Sequence, residues 1–240
     1  MKSEFSETQF AISLTYEIIK KNNIKRGYAP PRFPSQVKEA AFGYDFALDG
    51  PCRTIYLQFK ISEKKTNQYA RHWSDHNCPY YVFELYSRNG FNQHNKLVKL
   101  AKKNKRNRVY YCAPGFVSEK EYCDYFQKER IMSNTIFVPV DNLGTISPSD
   151  KHHDVSFTIH PYNHSRIHSE PKTIKSLTGD EFFSETMEIP SYDSFTHCIS
   201  SLSDQFEINI SRCEDRIEKY HEISSRLLTD WGISLLVLPS

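Results

Sequence analysis

From residue 7 to residue 113 the spacing of apolar side chains changes period in a fixed succession, and that succession leaves few architectures open. Phe10, Leu14 and Ile18 recur at i, i+4 and i+8 behind Ser6-Glu7-Thr8-Gln9, where Ser6 can cap a helix and Gln9 can reach back to it. This predicts a helix over residues 7–22, ended by Asn22-Asn23 and by a loop at 27–34 that holds three prolines. Residues 41–48, 54–62 and 79–86 read as strands, the first two separated by the turn Asp49-Gly50-Pro51. A second helix starting near Asn92 carries Leu97, Leu100 and Ala101 on one face, and residues 108–113 form a fourth strand closed by Pro114-Gly115. Helix, three strands, helix, strand is the order of an α/β protein with a mixed sheet flanked by helices.

Beyond residue 114 the pattern is less regular. A helix is expected over 119–128, with short strands at 136–140 and 155–160. From Phe195 onward, Ile199, Leu202, Phe206, Ile210, Cys213, Ile217, Tyr220, Leu227 and Trp231 recur mostly at three- and four-residue steps. They mark one long amphipathic helix, or two. The chain thus reads as a core over 1–114 and an acidic, mainly helical accessory part over 115–240 packed on it. The stripe is either core or a docking surface. Its length favours self-association as a homodimer, or docking of a second protein subunit, through residues 191–231.

The net charge of +2 conceals a division. Residues 1–113 hold 20 Lys/Arg against 9 Asp/Glu, whereas residues 114–240 hold 11 against 20. A basic half of this kind suits a polyanion partner. No apolar run approaches the ~20 residues of a membrane span, and the first residues, MKSEFSETQF, lack a secretory pattern. The six cysteines include no CxxC pair and fit reduced thiols, so a cytoplasmic location away from membranes is expected.

Two strand-like segments carry the chemistry. In Ile55-Tyr56-Leu57-Gln58-Phe59-Lys60-Ile61, period two sets Tyr56, Gln58 and Lys60 on one face. A lysine among apolar neighbours is costly without partners. Asp45 sits similarly among Tyr44, Phe46 and Leu48, and a tight hairpin through Gly50-Pro51 would bring it beside Gln58 and Lys60. Phosphodiester hydrolysis uses such a set: oxygen ligands hold a hard cation, the cation activates a bound water, and a lysine offsets developing charge. A structural cross-strand ion pair between Asp45 and Lys60 is the plainer alternative.

Asp45, Gln58 and Lys60 resemble the motif of the PD-(D/E)xK (restriction-endonuclease-like) nuclease superfamily, in the Mrr-like variant where Gln replaces the second acidic residue. The resemblance covers residues 6–114. It implies a restriction-endonuclease-like core, with the mainly helical C-terminal part as an extension. It further implies a metal-dependent endonuclease that uses Mg²⁺ (or Mn²⁺) to hydrolyse DNA, with RNA as the other polymer open to the same chemistry. The context it implies is bacterial defence, as an anti-phage or restriction effector. By the same resemblance Glu17 is the helix glutamate that some members add to the catalytic and metal set; a solvated flank residue is the alternative. Glu39, six residues before Asp45, is a further candidate ligand.

Lys64 and Lys65, then Lys96, Lys99, Lys102, Lys103, Lys105 and Arg106, are candidate phosphate contacts, or a solvated helix face. Two histidine groups invite other chemistry: His72-x3-His76-x-Cys78 has a zinc-like spacing, and His152-His153-Asp154 with His160, Asn163, His164 and His168 faintly resembles an HNH-type site. A catalytically inactive nucleic-acid-binding subunit, or an adaptor within a multiprotein complex, is the alternative to an enzyme.

Overall fold

The computed structural model describes residues 1–21, 51–85, 91–104, 106–147, 153–159, 164–169 and 171–239. Helix α1 (Glu7–Lys21) starts with the expected cap: Gln9 N–H donates to Ser6 Oγ at 3.1 Å, and Ser6 N–H donates to Gln9 Oε1 at 2.8 Å. It leads to two sheets of an α/β protein, with seven α-helices among the described residues.

The first sheet is mixed. Its order is β5 (Thr135–Pro139), β4 (Arg108–Pro114), β1 (Cys52–Phe59), β9 (Ser234–Pro239). β1 and β4 run parallel, joined through α3 (Phe91–Lys103), while β5 and β9 lie antiparallel at the edges. Alternation along β1 decides what covers each face. Ile55, Leu57 and Phe59 meet Phe10, Leu14 and Ile18 of α1, whereas Tyr56 faces the side covered by α3, α6 (Phe195–Phe206) and α7 (Arg216–Trp231).

The second sheet is antiparallel: β2 (Glu63–Lys65), β3 (Tyr80–Glu84), β6 (Asp154–Thr158), β7 (His164–Ile167), β8 (Lys172–Ile174). Phe83, Val155, Phe157 and Ile167 join the same core as Tyr56. The opposite face carries Glu84, Asp154, Ser156 and Arg166, brought side by side by the pairings Glu84↔Asp154 and Ser156↔Arg166.

Sequence expectations from both halves of the chain meet in this fold. The helices and strands expected at 7–22, 54–62, 79–86, 108–113, 119–128, 136–140 and 155–160 are present within a few residues, the fifth of these as α4 (Glu119–Gln127). Among the described residues, those after 114 supply four α-helices, including α5 (Gly179–Met187), but also five strands, two of which enter the first sheet. The part expected to be mainly helical therefore helps build the same sheet as β1.

The apolar stripe falls on two helices, α6 and α7, and the segment between them; its Phe195, Ile199, Leu202, Tyr220 and Leu227 are buried against this chain's own sheet, with Cys198 and Ile223 beside them. Phe206 packs edge-on against Tyr56 at 6.0 Å and Trp231 at 5.5 Å. These side chains are used in this chain's own core, while Ile210, Cys213 and Ile217 of the stripe are half-buried. Among the described residues no helix is long and apolar enough to cross a membrane.

Candidate active-site cleft

The polar face of the second sheet and the end of β1 enclose a cleft of about 700 Å³. Lys60, one residue past β1, donates its backbone N–H to Cys112 O of β4 at 2.9 Å, which fixes it at the carboxyl end of the parallel pair. In α/β sheets this is where ligands commonly bind. The Lys60 ammonium lies 5.8 Å from the Tyr111 ring centroid, and the carboxylates of Glu7 and Glu84 act on it from the first turn of α1 and the last residue of β3. Burial lowers the Lys60 pKa, and the two carboxylates oppose that shift. Lys2, Lys65 and Arg71 also line the cleft, as do Glu63 and Asp154, so its wall carries charges of both signs.

His72 and Asp154 form another part of the lining. Short helix α2 (Trp73–His76), ended by Asn77 at φ 54°, carries Asp75 and His76 onto the polar face of the sheet. There they meet β7 and the residue after it. His72 Nε2 is 2.8 Å from Asp154 Oδ2, and the His72 ring stacks on His168 with centroids 3.4 Å apart and planes at 13°. Ser156 Oγ lies 2.7 Å from both His76 Nε2 and His168 Nε2, and Arg166 pairs with Asp75 Oδ1 at 3.0 Å. Burial pushes the pKa of His76 and of His168 down to about 4, with neighbouring histidines adding to the shift. His72 and His76 of the first histidine group thus cluster in space with Asp154, His164 and His168 of the second, His76 Nδ1 and His164 Nδ1 being 3.4 Å apart, while His152, His160 and Asn163 lie outside the described residues.

The sequence-derived candidates separate. Asp45 and Glu39 lie outside the described residues, as does Lys105. Both edges of β1 are filled by described strands: β4 pairs with residues 55–59 and β9 with residues 52–57.

Gln58 is buried away from the cleft lining. Its Oε1 accepts from Gln93 Nε2 at 3.1 Å, and the same amide donates to Trp231 O at 2.7 Å. Glu17 does not join Lys60. Its two oxygens accept from the backbone N–H of Ile131 at 2.9 Å and Met132 at 2.8 Å, at the far end of α1 from Glu7. Burial raises the Glu17 pKa despite these hydrogen bonds.

Of the basic residues, Lys65 lines the cleft and is 2.8 Å from Glu63. Lys64 lies over Tyr81, Lys96 over Trp231 and Arg106 over Tyr192, at 5.5, 5.7 and 4.9 Å. Lys99, Lys102 and Lys103 are exposed on α3, and Lys103 Nζ donates to Gln205 O at 3.2 Å.

Sequence reasoning missed Glu7 and Glu84, because nothing in their local pattern places them opposite Lys60. It weighed both histidine groups separately. The signal that could have joined them is the repeated His-x3-His spacing at 72/76 and 164/168. No protein family, curated protein or solved structure matches this chain.

Proposed function

We propose that this chain is a metal-dependent nuclease that hydrolyses phosphodiester bonds of DNA in the Lys60 cleft, with RNA as the other candidate substrate. The observation that carries the reading is the half-buried Lys60 ammonium at the carboxyl end of β1, acted on by the Glu7 and Glu84 carboxylates in a cleft that Lys2, Lys65 and Arg71 also line. A buried lysine kept near two acids is costly as mere structure and useful where negative charge develops. The parallel pairing of β1 with β4, with α3 among the elements between them, is in keeping with the restriction-endonuclease-like resemblance.

Carboxylate oxygens are the donors that Mg²⁺ or Mn²⁺ prefers, so Glu7 and Glu84 fit such an ion, with Asp45 as a further candidate. When bound, the ion would polarise the phosphate and acidify a water. Lys60 would hold a nonbridging phosphate oxygen and offset its charge as it grows. Lys2, Lys65 and Arg71 would guide the backbone into the cleft without reading sequence. Gln58, tied to Gln93, would brace β1 rather than bind the ion.

Incubating the full chain with supercoiled plasmid, single-stranded DNA and RNA in Mg²⁺, Mn²⁺ or EDTA tests this reading. Cleavage in either metal and none in EDTA is expected. Binding without cleavage in all conditions would favour the inactive nucleic-acid-binding subunit.

A further inference from the structure

We propose that His72, Asp75 and His168 form a binding site for a zinc-class divalent transition metal, on the wall of the cleft and separate from Lys60, Glu7 and Glu84. One ligand atom from each lies within 4.8 Å of the other two. The converging atoms are specific. Asp75 Oδ2 is 3.9 Å from His72 Nδ1 and 4.0 Å from His168 Nδ1, too far for a hydrogen bond and close to twice a zinc–ligand bond length.

The proton positions sharpen this. Asp154 Oδ2, 2.8 Å from His72 Nε2, is a carboxylate oxygen and accepts, so His72 carries its proton on Nε2. In the neutral form of the ring, Nδ1 then carries a lone pair 3.9 Å from the Asp75 carboxylate, acceptor beside acceptor. Ser156 Oγ has one proton to share between His76 Nε2 and His168 Nε2, each at 2.7 Å, so at least one of these rings donates to it. With His168 as the donor, a second Nδ1 lone pair faces the same Asp75 oxygen. A cation between the three atoms turns this repulsion into ligation.

The surroundings match what metal-bound histidines have. Each ring's outer nitrogen meets a fixed partner, Asp154 for His72 and Ser156 for His168, which sets tautomer and orientation. Arg166 holds the other oxygen of Asp75 at 3.0 Å, leaving Oδ2 to point inward. Asp154 Oδ1 is buried with no hydrogen-bond partner among the described residues. A His72 N–H polarised by a metal compensates that half-satisfied carboxylate better than a plain imidazole does.

Two neutral imidazoles and one carboxylate suit zinc and its neighbours rather than Mg²⁺ or Ca²⁺. Three protein ligands leave a fourth position for water or substrate. The stacked rings would splay about their soft outer torsions as their lone pairs converge. That brings the ligand atoms to about 3.4 Å apart, the edge of a tetrahedron with ~2.1 Å bonds.

The test uses the full chain stripped by chelator and titrated with Zn²⁺ or Co²⁺ alone. One ion per chain should bind, Co²⁺ should give the intense visible absorption of a four- or five-coordinate site, and millimolar Mg²⁺ should not displace either ion. Ring ¹⁵N shifts of the unmutated protein should show His72 and His168 metallated at Nδ1, a readout that needs no variant to fold. Asp75→Asn and His168→Gln should weaken Zn²⁺ binding at least tenfold, and Asp154→Asn about tenfold through His72. Lys60→Ala should bind Zn²⁺ as the unmutated chain does, so this result and loss of nuclease activity are read independently. Absence of stoichiometric binding, shifts confined to other histidines, or unchanged affinity in folded Asp75→Asn and His168→Gln would overturn the site.

Discussion

The side-chain amide of Gln93 donates to Gln58 Oε1 at 3.1 Å, and through its second bond, to Trp231 O at 2.7 Å, it ties α3, β1 and α7 at one point. Gly232, at φ 65°, ends α7 directly behind this amide, and a Cβ there would overlap it. Replacing Gln93 by Leu leaves buried polar atoms unsatisfied and should cost ~1–3 kcal/mol in urea unfolding. Gly232→Ala should cost at least ~1 kcal/mol, since both conformation and space oppose it. A Gln93→Leu protein as stable as the parent would mean the network is incidental.

Glu17 is a structural acid in this fold. Glu17→Ala should destabilise by ~2–5 kcal/mol, because two buried N–H groups of residues 131 and 132 lose their acceptors together. Its raised pKa also sets a pH trend. The folded value lies above the unfolded one, so its contribution is complete below the ordinary carboxylate value of 4.5 and is lost as pH rises through the folded pKa. Over that window the stability of the unmutated chain should fall relative to Glu17→Gln. Equal slopes for the two proteins would contradict the assignment.

Lys60 has the opposite profile to a structural ion-pair partner. Its pKa is lowered by burial, so the charged form costs stability, and that cost is relieved as pH rises through the folded pKa. Lys60→Met should therefore unfold no more easily than the parent at neutral pH. A loss of several kcal/mol in chemical denaturation would restore the ion-pair reading.

The outer face of α3 gives a salt-dependent prediction. Lys99 and Lys102 are exposed. If nucleic acid crosses this face, Lys99→Ala with Lys102→Ala should weaken binding equally for all sequences and lower the slope of log K against log salt by up to about 2. An unchanged slope would place the strand elsewhere on the cleft rim.

Phe206 tests the fate of the apolar stripe. With its ring against Tyr56 and Trp231, Phe206→Asp should destabilise the whole fold by several kcal/mol. A folded variant whose only change is oligomeric state, seen by sedimentation, would return the stripe to an association role.

Most of the fold was legible because long amphipathic and alternating segments announce themselves: the Ser6/Gln9 cap, the alternation through Lys60 and the Phe195–Trp231 spacing all reappear as structure. The strand pairings were not legible. Nothing in the local pattern of residues 234–239 names a partner strand, and only the three-dimensional fold sets them beside β1. β7 and β8 span four and three residues, too few for a period to stand out. The site was legible only at Lys60. Glu7 and Glu84 reach it through helix placement and sheet register, and His72 meets His168 across 96 positions of sequence because α2 lies on the polar face of β6 and β7.

Single-turnover cleavage of end-labelled DNA by the parent, Lys60→Ala and Glu84→Gln tests the central claim most directly. The account predicts Mg²⁺- or Mn²⁺-dependent product from the parent and a fall of about a hundredfold or more in each folded variant, the scale of losing one transition-state contact. Parent-level rates in both variants, or product that persists in EDTA, would contradict it.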